Sequence, residues 1–151
     1  MTDFVITGTT TVSQTLLTGE YGYIARDGEL VVAGADAITA SGAVQMAVLG
    51  NITTFGDFEA LDFDGEDLDL FIGEAGSIFA VSDGALDIQA SFRAEITNHG
   101  SISSDGTAIS VATTDTGTPI NIFNSGTLNG SSAISVNSGA SATYIANTGD
   151  M

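Results

Sequence analysis

A phrase of alternating apolar and polar residues that closes on a glycine returns along the chain about every 24 residues. Its clearest copies are ITNHGSISSDGTAISV, which begins at Ile96, and INIFNSGTLNGSSAISV, which begins at Ile120. A period of this length predicts a repeat architecture in which each unit buries its apolar side against the next unit. The recurring glycines are spaced by 22, 26, 24, 26 and 23 residues, and they are Gly28, Gly50, Gly76, Gly100, Gly126 and Gly149.

Within each unit the apolar residues alternate with polar ones, which is the period of a β-strand. We predict that equivalent inward residues form columns through the core. The first column, four positions before each glycine, is Ile24, Met46, Ile72, Ile96, Ile122 and Ile145. The second, two positions after each glycine, is Leu30, Ile52, Ile78, Ile102 and Leu128. A third begins with Ala–apolar pairs at Ala37–Ile38, Ala60–Leu61, Ala85–Leu86, Ala108–Ile109 and Ala133–Ile134.

The recurring glycines are predicted to form sharp corners, where a positive φ favours glycine. In the later units an asparagine precedes the glycine by two positions, at Asn98, Asn124 and Asn147. An asparagine side chain bonds turn backbone readily, and stacked asparagines bond one another. We therefore interpret these asparagines as corner residues.

The sequence predicts an all-β fold, specifically a right-handed parallel β-helix (β-solenoid) of about five to six coils. Strands this short need neighbours, and stacked coils supply them at about 4.8 Å per coil. The irregular coil length favours the right-handed form. The alternative is an antiparallel β-sandwich, which would not require glycine, isoleucine and the Ala–apolar pair to return together.

The two ends of the chain differ. Residues 1–20 match the repeat poorly and are predicted to form an N-terminal capping segment, because an open solenoid end exposes unpaired strand backbone. Residues 21–151 are predicted to be the coils of a single domain. The last coil carries no cap, so we expect either further coils in a longer protein or end-to-end contact with a second copy.

Composition excludes several classes of function. The chain has 151 residues, a formal net charge of −17, two Lys+Arg residues and no cysteine. Such an acidic surface repels nucleic acids and anionic membranes, and without cysteine there are no disulfides and no thiolate sites. No apolar run approaches the ~20 residues of a membrane helix. The first residues lack the pattern of a signal peptide, so we expect export to the cell surface or the extracellular medium without an N-terminal signal peptide.

The densest charge lies between residues 57 and 74. Carboxylates in a turn are the oxygen ligands that Ca²⁺ prefers, so this segment supplies candidate calcium ligands. The spacing matches neither an EF-hand nor the nonapeptide of calcium-binding β-rolls, and a solvated acidic corner is the favoured interpretation. The candidate ligands are Asp62, Asp64, Glu66 and Asp67, and Ca²⁺ is the only cofactor considered.

Carboxylates stacked across coils can also act as acid–base pairs on polysaccharides. Asp62, Asp64, Asp69 and Asp87 are the candidates for such a pair. The chain lacks tryptophan and long loops and has almost no bases, so we expect no catalytic residues. His99 is interpreted as an exposed corner residue.

Aromatic side chains are predicted to point outward from one face. They are Tyr23, Phe71 and Tyr144, one position before the first apolar column. A group of exposed aromatics can form a contact surface, although aromatic residues also suit strands without any binding role. We take these three as candidate surface-contact residues.

The phrases ITNHGSISSDGTAISV and IFNSGTLNGSSAISV, with weaker copies at YIARDGELVV and LFIGEAGSIFAV, resemble the β-solenoid segments of large secreted bacterial proteins. These are autotransporter passengers and the non-catalytic regions of RTX-type and other adhesin-like exoproteins. The resemblance spans about residues 20–149. High acidity and the absence of an N-terminal signal are similar to the RTX type, although the RTX calcium repeats are not in this chain.

The expected function is that of a non-catalytic structural or adhesive module of a secreted or surface bacterial protein. It would serve as a rigid spacer, a display surface or an end-to-end assembly unit. Its expected partners are a second copy, a glycan or a cell surface, with no nucleic acid and no membrane insertion. The alternative is a carbohydrate-binding or carbohydrate-processing β-helix that uses the acidic residues 57–74.

Overall fold

The computed structural model describes residues 3–81, 84–113, 115, 117–137 and 142–151. Within these ranges the chain is all-β, and its parallel strands stack as a β-solenoid of about five turns. No helix occurs in the described ranges, and so none is long and apolar enough to span a membrane. The parallel pairing confirms the predicted β-solenoid and excludes the antiparallel sandwich.

Seventeen strands are found in the described residues. In chain order they are β1 (Phe4–Ile6), β2 (Thr9–Thr10), β3 (Gln14–Leu16), β4 (Tyr21–Ile24), β5 (Glu29–Ala33), β6 (Ile38–Ala40), β7 (Ala43–Val48), β8 (Asn51–Phe55), β9 (Leu61–Ile72), β10 (Ser77–Ala80), β11 (Leu86–Asn98), β12 (Ser101–Ser104), β13 (Thr107–Thr113), β14 (Pro119–Asn124), β15 (Thr127–Asn129), β16 (Ser132–Asn137) and β17 (Ala142–Asn147).

The strands form three faces. The first face stacks β1, β4, β7, the second half of β9, the second half of β11, β14 and β17. The second face stacks β2, β5, β8, β10, β12 and β15. The third face stacks β3, β6, the first half of β9, the first half of β11, β13 and β16. β9 and β11 are long because each runs from the third face round a corner into the first.

Two of the three predicted columns are confirmed. On the second face Leu30, Ile52, Ile78, Ile102 and Leu128 are direct neighbours from strand to strand. On the third face Ile38, Leu61, Leu86, Ile109 and Ile134 are neighbours in the same way. The first four of each column are completely buried. At about 1.5–3 kcal/mol for each fully buried aliphatic side chain, these columns are a large part of the apolar core that holds the coils together.

The predicted column on the first face is wrong and divides into two. Ile72 lies beside Val48 and Asn98, whereas Ile96 lies beside Leu70 and Ile122. The reason is the length of the corner: four positions separate Ile24 and Ile72 from the next glycine, but only two separate Val48 and Asn98 from theirs. Counting back from the glycine therefore displaced two of the six members, Ile24 and Ile72, by two residues. A shift of two residues keeps the side chain pointing inward but changes its neighbour on the next coil.

The recurring glycines lie at the corners between strands, as predicted, but their φ angles are not the reason. None of the six has a positive φ. A methyl group at Gly100 would instead overlap the carbonyl oxygen of Gly76, and one at Gly126 would overlap that of Gly100. The corner strands approach so closely that only glycine fits, because backbone carbonyls of one coil occupy the space of the next side chain.

The segment predicted to cap the N-terminal end contains one coil of strand. From residue 3 onward it supplies β1, β2 and β3, which pair in parallel with β4, β5 and β6. Phe4 occupies the space above Gly22, where an added Cβ would lie 2.8 Å from the ring of Phe4. The segment thus extends each of the three faces by one strand.

Candidate functional site

A β-bulge interrupts the corner between the third and first faces. Ala90 pairs with Gly65 and Arg93 pairs with Asp67, so Ser91 and Phe92 together stand opposite a single residue of the previous coil. A bulge re-aims the side chains that follow it and is often found beside functional sites. Here it turns the Phe92 ring into solvent, where 68% of the residue is exposed. Phe92 is the most exposed large hydrophobic residue in the described part of the chain.

Hydrogen bonds to both neighbouring coils hold this bulge in place. The Ser91 hydroxyl donates to the carbonyl oxygen of Gly65 at 3.2 Å. On the other side the buried Thr118 hydroxyl donates to the carbonyl oxygen of Ser91 at 3.0 Å. The exposed Phe92 ring is therefore carried by backbone that is fixed on both sides, which lowers the entropy lost when a ligand binds.

Arg93 follows Phe92 and forms two ion pairs. Its Nε donates to Asp67 at 2.9 Å and its Nη1 donates to Glu95 at 3.0 Å. The hydrogen bond to Asp67 raises the pKa of the Arg93 guanidinium, partial burial lowers it, and the surrounding carboxylates raise it. The group stays charged at every physiological pH, and it is held in place by carboxylates on two strands, β9 and β11.

Clefts lie on both sides of Arg93 along the solenoid axis. The first has a volume of about 200 Å³ and is lined by Gly19, Glu20, Tyr21, Ala43, Val44, Gln45, Asp67, Asp69 and Arg93. The second has a volume of about 430 Å³ and is lined by Ser91, Phe92, Arg93, Asp115, Gly117, Thr118 and Pro119. We call the two clefts together the axial furrow. It runs from Tyr21 in β4 to Thr118 before β14, crossing four coil spacings, or roughly 19 Å at about 4.8 Å each.

The furrow has a polar half and an apolar half. Tyr21, Gln45 and Asp69 are consecutive neighbours across β4, β7 and β9, so the polar half offers a hydroxyl, an amide and a carboxylate at one-coil intervals. Glu95 continues that row in β11. The apolar half is made by Phe92 and Pro119. Charged and hydrogen-bonding groups thus meet an aromatic ring at Arg93.

The four candidate calcium ligands do not converge. Asp62 lies on the third face beside Thr39 and Asp87, whereas Asp67 lies at the start of the first face in its ion pair with Arg93. Asp64 and Glu66 are exposed at the corner between them. Among the residues that the structure describes, no three His, Asp or Glu side chains form a group that could hold a metal ion.

Among the carboxylates considered for acid–base chemistry, the structure brings Asp62 and Asp87 together as direct neighbours on β9 and β11. Burial raises the pKa of the Asp62 carboxyl, and Asp36, Asp87 and Asp64 raise it further. Their row continues as Thr39 on one side and Ser110 on the other. It therefore holds two carboxylates without an aromatic ring in the same row.

The three candidate aromatic residues all lie on the first face, but in two rows. Tyr23 and Phe71 belong to one row, with Ala47 between them. Tyr144 belongs to the adjacent row with Asn121, displaced by the same two positions as the first-face column. Tyr144 packs against Phe123 of the first row, with 5.6 Å between the ring centroids, so the two rows meet near the last coils.

The corner residues make the contacts expected of corners. Asn98 donates to the Asn124 side chain at 2.7 Å, and Asn124 donates to that of Asn147 at 2.7 Å, which confirms the predicted asparagine stack. His99 is exposed and lies 2.6 Å from the Ser125 hydroxyl, with its ring edge-on to Phe71. These side chains join coils to one another.

Phe92, Arg93 and Tyr21 were not among the site residues predicted from the sequence. A signal for the bulge was present in the chain. From Leu61 to Leu68 is seven positions, whereas the equivalent step from Leu86 to Ala94 is eight, and the extra residue lies in the bulge.

No protein-family model matches this chain, and comparison with curated proteins and with solved structures likewise finds no significant match.

Proposed function

We propose that the chain is a non-catalytic structural and adhesive module of a secreted or cell-surface bacterial protein, and that the solenoid serves as a rigid spacer and display surface. The observation that carries this proposal is the continuity of the stack. Every coil from β2 to β15 pairs in register on the second face, and from β5 onward the inward residues of that face are buried. A rod in which each coil contacts only its neighbours transmits position along its axis with little bending.

Two further features support the proposal. The phrases that resemble segments of RTX-type and autotransporter-like adhesins are the ones that form the best-matched coils, from β11 to β16. The strong negative charge of −17 keeps exposed strand faces apart in a chain with so much β-structure. Export without an N-terminal signal peptide belongs to the same proposal.

The absence of catalysis is proposed from the placement of the carboxylates. Asp62 and Asp87 lie on the third face, while the exposed Phe92 ring and Arg93 lie round the corner at the start of the first face. A sugar ring held against Phe92 would meet Arg93 and the two carboxylates, Asp67 and Glu95, that are held in ion pairs with it. The furrow is arranged for binding, and we propose no reaction in it.

The rigid-spacer function is tested by distance measurement along the second face. Thr9 and Thr127 lie at opposite ends of one row, with Glu29, Asn51, Ser77 and Ser101 between them. Because the chain has no cysteine, Thr9→Cys with Thr127→Cys gives a clean pair for spin labels. We expect one narrow distance distribution by double electron–electron resonance, with Cα positions roughly 24 Å apart at five coil spacings.

A second labelled pair controls for the flexibility of the label itself. Thr9→Cys with Ser101→Cys spans one coil less, so its distance should be shorter by roughly 5 Å and equally narrow. Broad distributions, or equal distances for the two pairs, would show that the coils do not form a rigid rod and would remove the proposed spacer function.

A further inference from the structure

We propose that the axial furrow is a binding site for an extended, neutral polysaccharide, with Phe92 as the stacking platform and Arg93 with its paired carboxylates as the hydrogen-bonding centre. This inference deepens the display function proposed above and rests on it, because it names what the displayed surface binds. Three properties of the furrow support it: its side-chain chemistry, its charge and its backbone.

The side-chain chemistry matches a sugar. A pyranose ring has an apolar face of C–H groups and an edge of hydroxyls, so it is held by an aromatic ring beside planar polar groups. Phe92 supplies the ring on the fixed bulge. Arg93 supplies donors and Asp67 supplies an acceptor, and their ion pair presents both to a ligand with two adjacent hydroxyls.

An adjacent row of outward side chains continues the hydrogen-bonding groups along the solenoid axis. Tyr21, Gln45 and Asp69 lie at successive coils and present hydrogen-bonding groups at about 4.8 Å intervals. That interval is comparable to the length of one sugar unit in an extended glycan. A chain of several sugars lying along the furrow would therefore meet one polar side chain per coil after it leaves Phe92.

Charge decides which glycans fit. The protein carries a formal net charge of −17. The furrow itself contains Glu20, Asp67, Asp69 and Asp115 around a single arginine. Arg93 is already paired with two carboxylates, so it has no net positive charge to offer a uronate or a sulfate. Anionic polysaccharides and nucleic acids are repelled, and a neutral sugar chain is not.

The backbone of the furrow excludes a peptide that adds as a strand. β7, β9 and β11 each pair with a strand on both sides, so the floor of the furrow offers no unpaired edge for strand addition. Recognition must come from side chains, which is the mode that a polysaccharide uses.

The test compares furrow variants with matched variants elsewhere on the protein. Phe92→Ala removes the platform and Arg93→Gln removes the ion pairs. Phe55→Ala controls for loss of an exposed phenylalanine, because Phe55 is 46% exposed on the second face. Arg26→Gln controls for loss of an arginine, because Arg26 is exposed in a turn. Phe92→Trp keeps the platform aromatic, so it decides the role of the ring even if Arg93→Gln fails to fold.

The probes are soluble galactomannan, xyloglucan and dextran in native affinity gels, with polygalacturonate and heparin as anionic comparators. We expect at least one neutral polymer to retard the protein without being shortened by it. Its affinity should fall about tenfold or more in Phe92→Ala and Arg93→Gln and stay near that of the unmodified chain in Phe92→Trp, Phe55→Ala and Arg26→Gln.

Three results would overturn the inference: no retardation by any neutral polymer, equal retardation of Phe92→Ala and the unmodified protein, or stronger retardation by the anionic polymers. These failures are separate from failure of the spacer function. A protein whose spin-label distances are narrow but which binds no neutral glycan remains a rigid rod without this ligand, whereas broad distances remove the rod.

Discussion

At the residue scale, the stacked glycines set the closest approach between coils. The backbone nitrogen after each glycine bonds the carbonyl oxygen of a glycine one coil earlier, as in the 3.0 Å bond from Ser101 to Gly76 and the 2.8 Å bond from Thr127 to Gly100. A side chain at Gly100 or Gly126 would have to displace the carbonyl that accepts the bond from the residue after it. Glycine is therefore required by contact between coils and not by the φ angle of the corner.

Gly100→Ala tests this requirement. The added methyl overlaps the carbonyl oxygens of Gly76 and Gly73, both of which belong to backbone that cannot move without breaking coil pairing. We expect the free energy of unfolding to fall by about 2 kcal/mol or more, in the upper part of the range for overpacking. Urea unfolding monitored by circular dichroism measures the change.

Gly8→Ala is the matched control, because an added Cβ there meets no atom within 4 Å and Gly8 has no positive φ. It should leave stability unchanged or raise it slightly, since alanine restricts the unfolded chain. If Gly100→Ala proves as harmless as Gly8→Ala, close contact between the corners of neighbouring coils is not what requires glycine at these positions.

At the element scale, pairing between strands decides which predictions from sequence succeed. The second-face column could be predicted because the interval from glycine to Leu30, Ile52 and Ile78 does not change. On the third face the interval from glycine varies, and the Ala–apolar pair itself marked the column. The first-face column could not be predicted from the same anchor, because two corners contain two extra residues. The alternation of apolar and polar residues specifies which side chains point inward, whereas the residue that each one contacts on the next coil depends on strand register.

The same limit explains why the candidate site was found only in the structure. The acidic residues were conspicuous in the sequence, but their partners depend on the coil above or below. Asp67 was considered as a calcium ligand, and the bulge brings Arg93 to it from 26 residues further along the chain. A bulge is one extra residue in a coil, and its position becomes readable only when the columns on both sides of it are aligned.

The pairing of β9 with β11 yields a prediction on pH. Asp62 faces Asp87 across these strands, and burial together with nearby aspartates raises the pKa of Asp62 above its ordinary 3.8. A raised carboxyl pKa means that the charged form is destabilised in the folded state. This penalty is present above the folded pKa and disappears as the pH falls through it towards 3.8.

Asp62→Asn should therefore raise the melting temperature at pH 7 by roughly 1–3 °C, because like charges directly opposite on neighbouring strands are mildly destabilising. The gain should shrink as the pH falls through the raised pKa of Asp62 towards 3.8, because the wild-type carboxyl takes up a proton over that range. Asp105→Asn, which changes an exposed turn aspartate, is the control and should show no comparable gain at pH 7. Scanning calorimetry at a series of pH values measures both, and a gain independent of pH would contradict the assignment.

At the scale of the whole molecule, the solenoid is a one-dimensional stack. Each coil draws its stability from its own core residues and from two interfaces, so stability varies along the axis. The middle coils bury Leu61, Phe63, Leu70, Leu86 and Ile96 completely. In the last described coil Tyr144 is 57% exposed and Ile145 is 43% exposed, and the side chains of β16 are only partly buried.

This gradient predicts how the backbone opens. Amide hydrogens in the middle of the stack exchange only when buried columns on three faces separate, whereas those of β17 exchange when one partly exposed strand leaves β14. We expect amides of β9 and β11 to exchange most slowly and amides of β16 and β17 to exchange at least about tenfold faster, as measured by hydrogen–deuterium exchange with mass spectrometry. Phe92→Ala, which removes an exposed ring, should leave the gradient unchanged. Uniform exchange along the chain would contradict this prediction, because it would show that the coils unfold together as one cooperative unit.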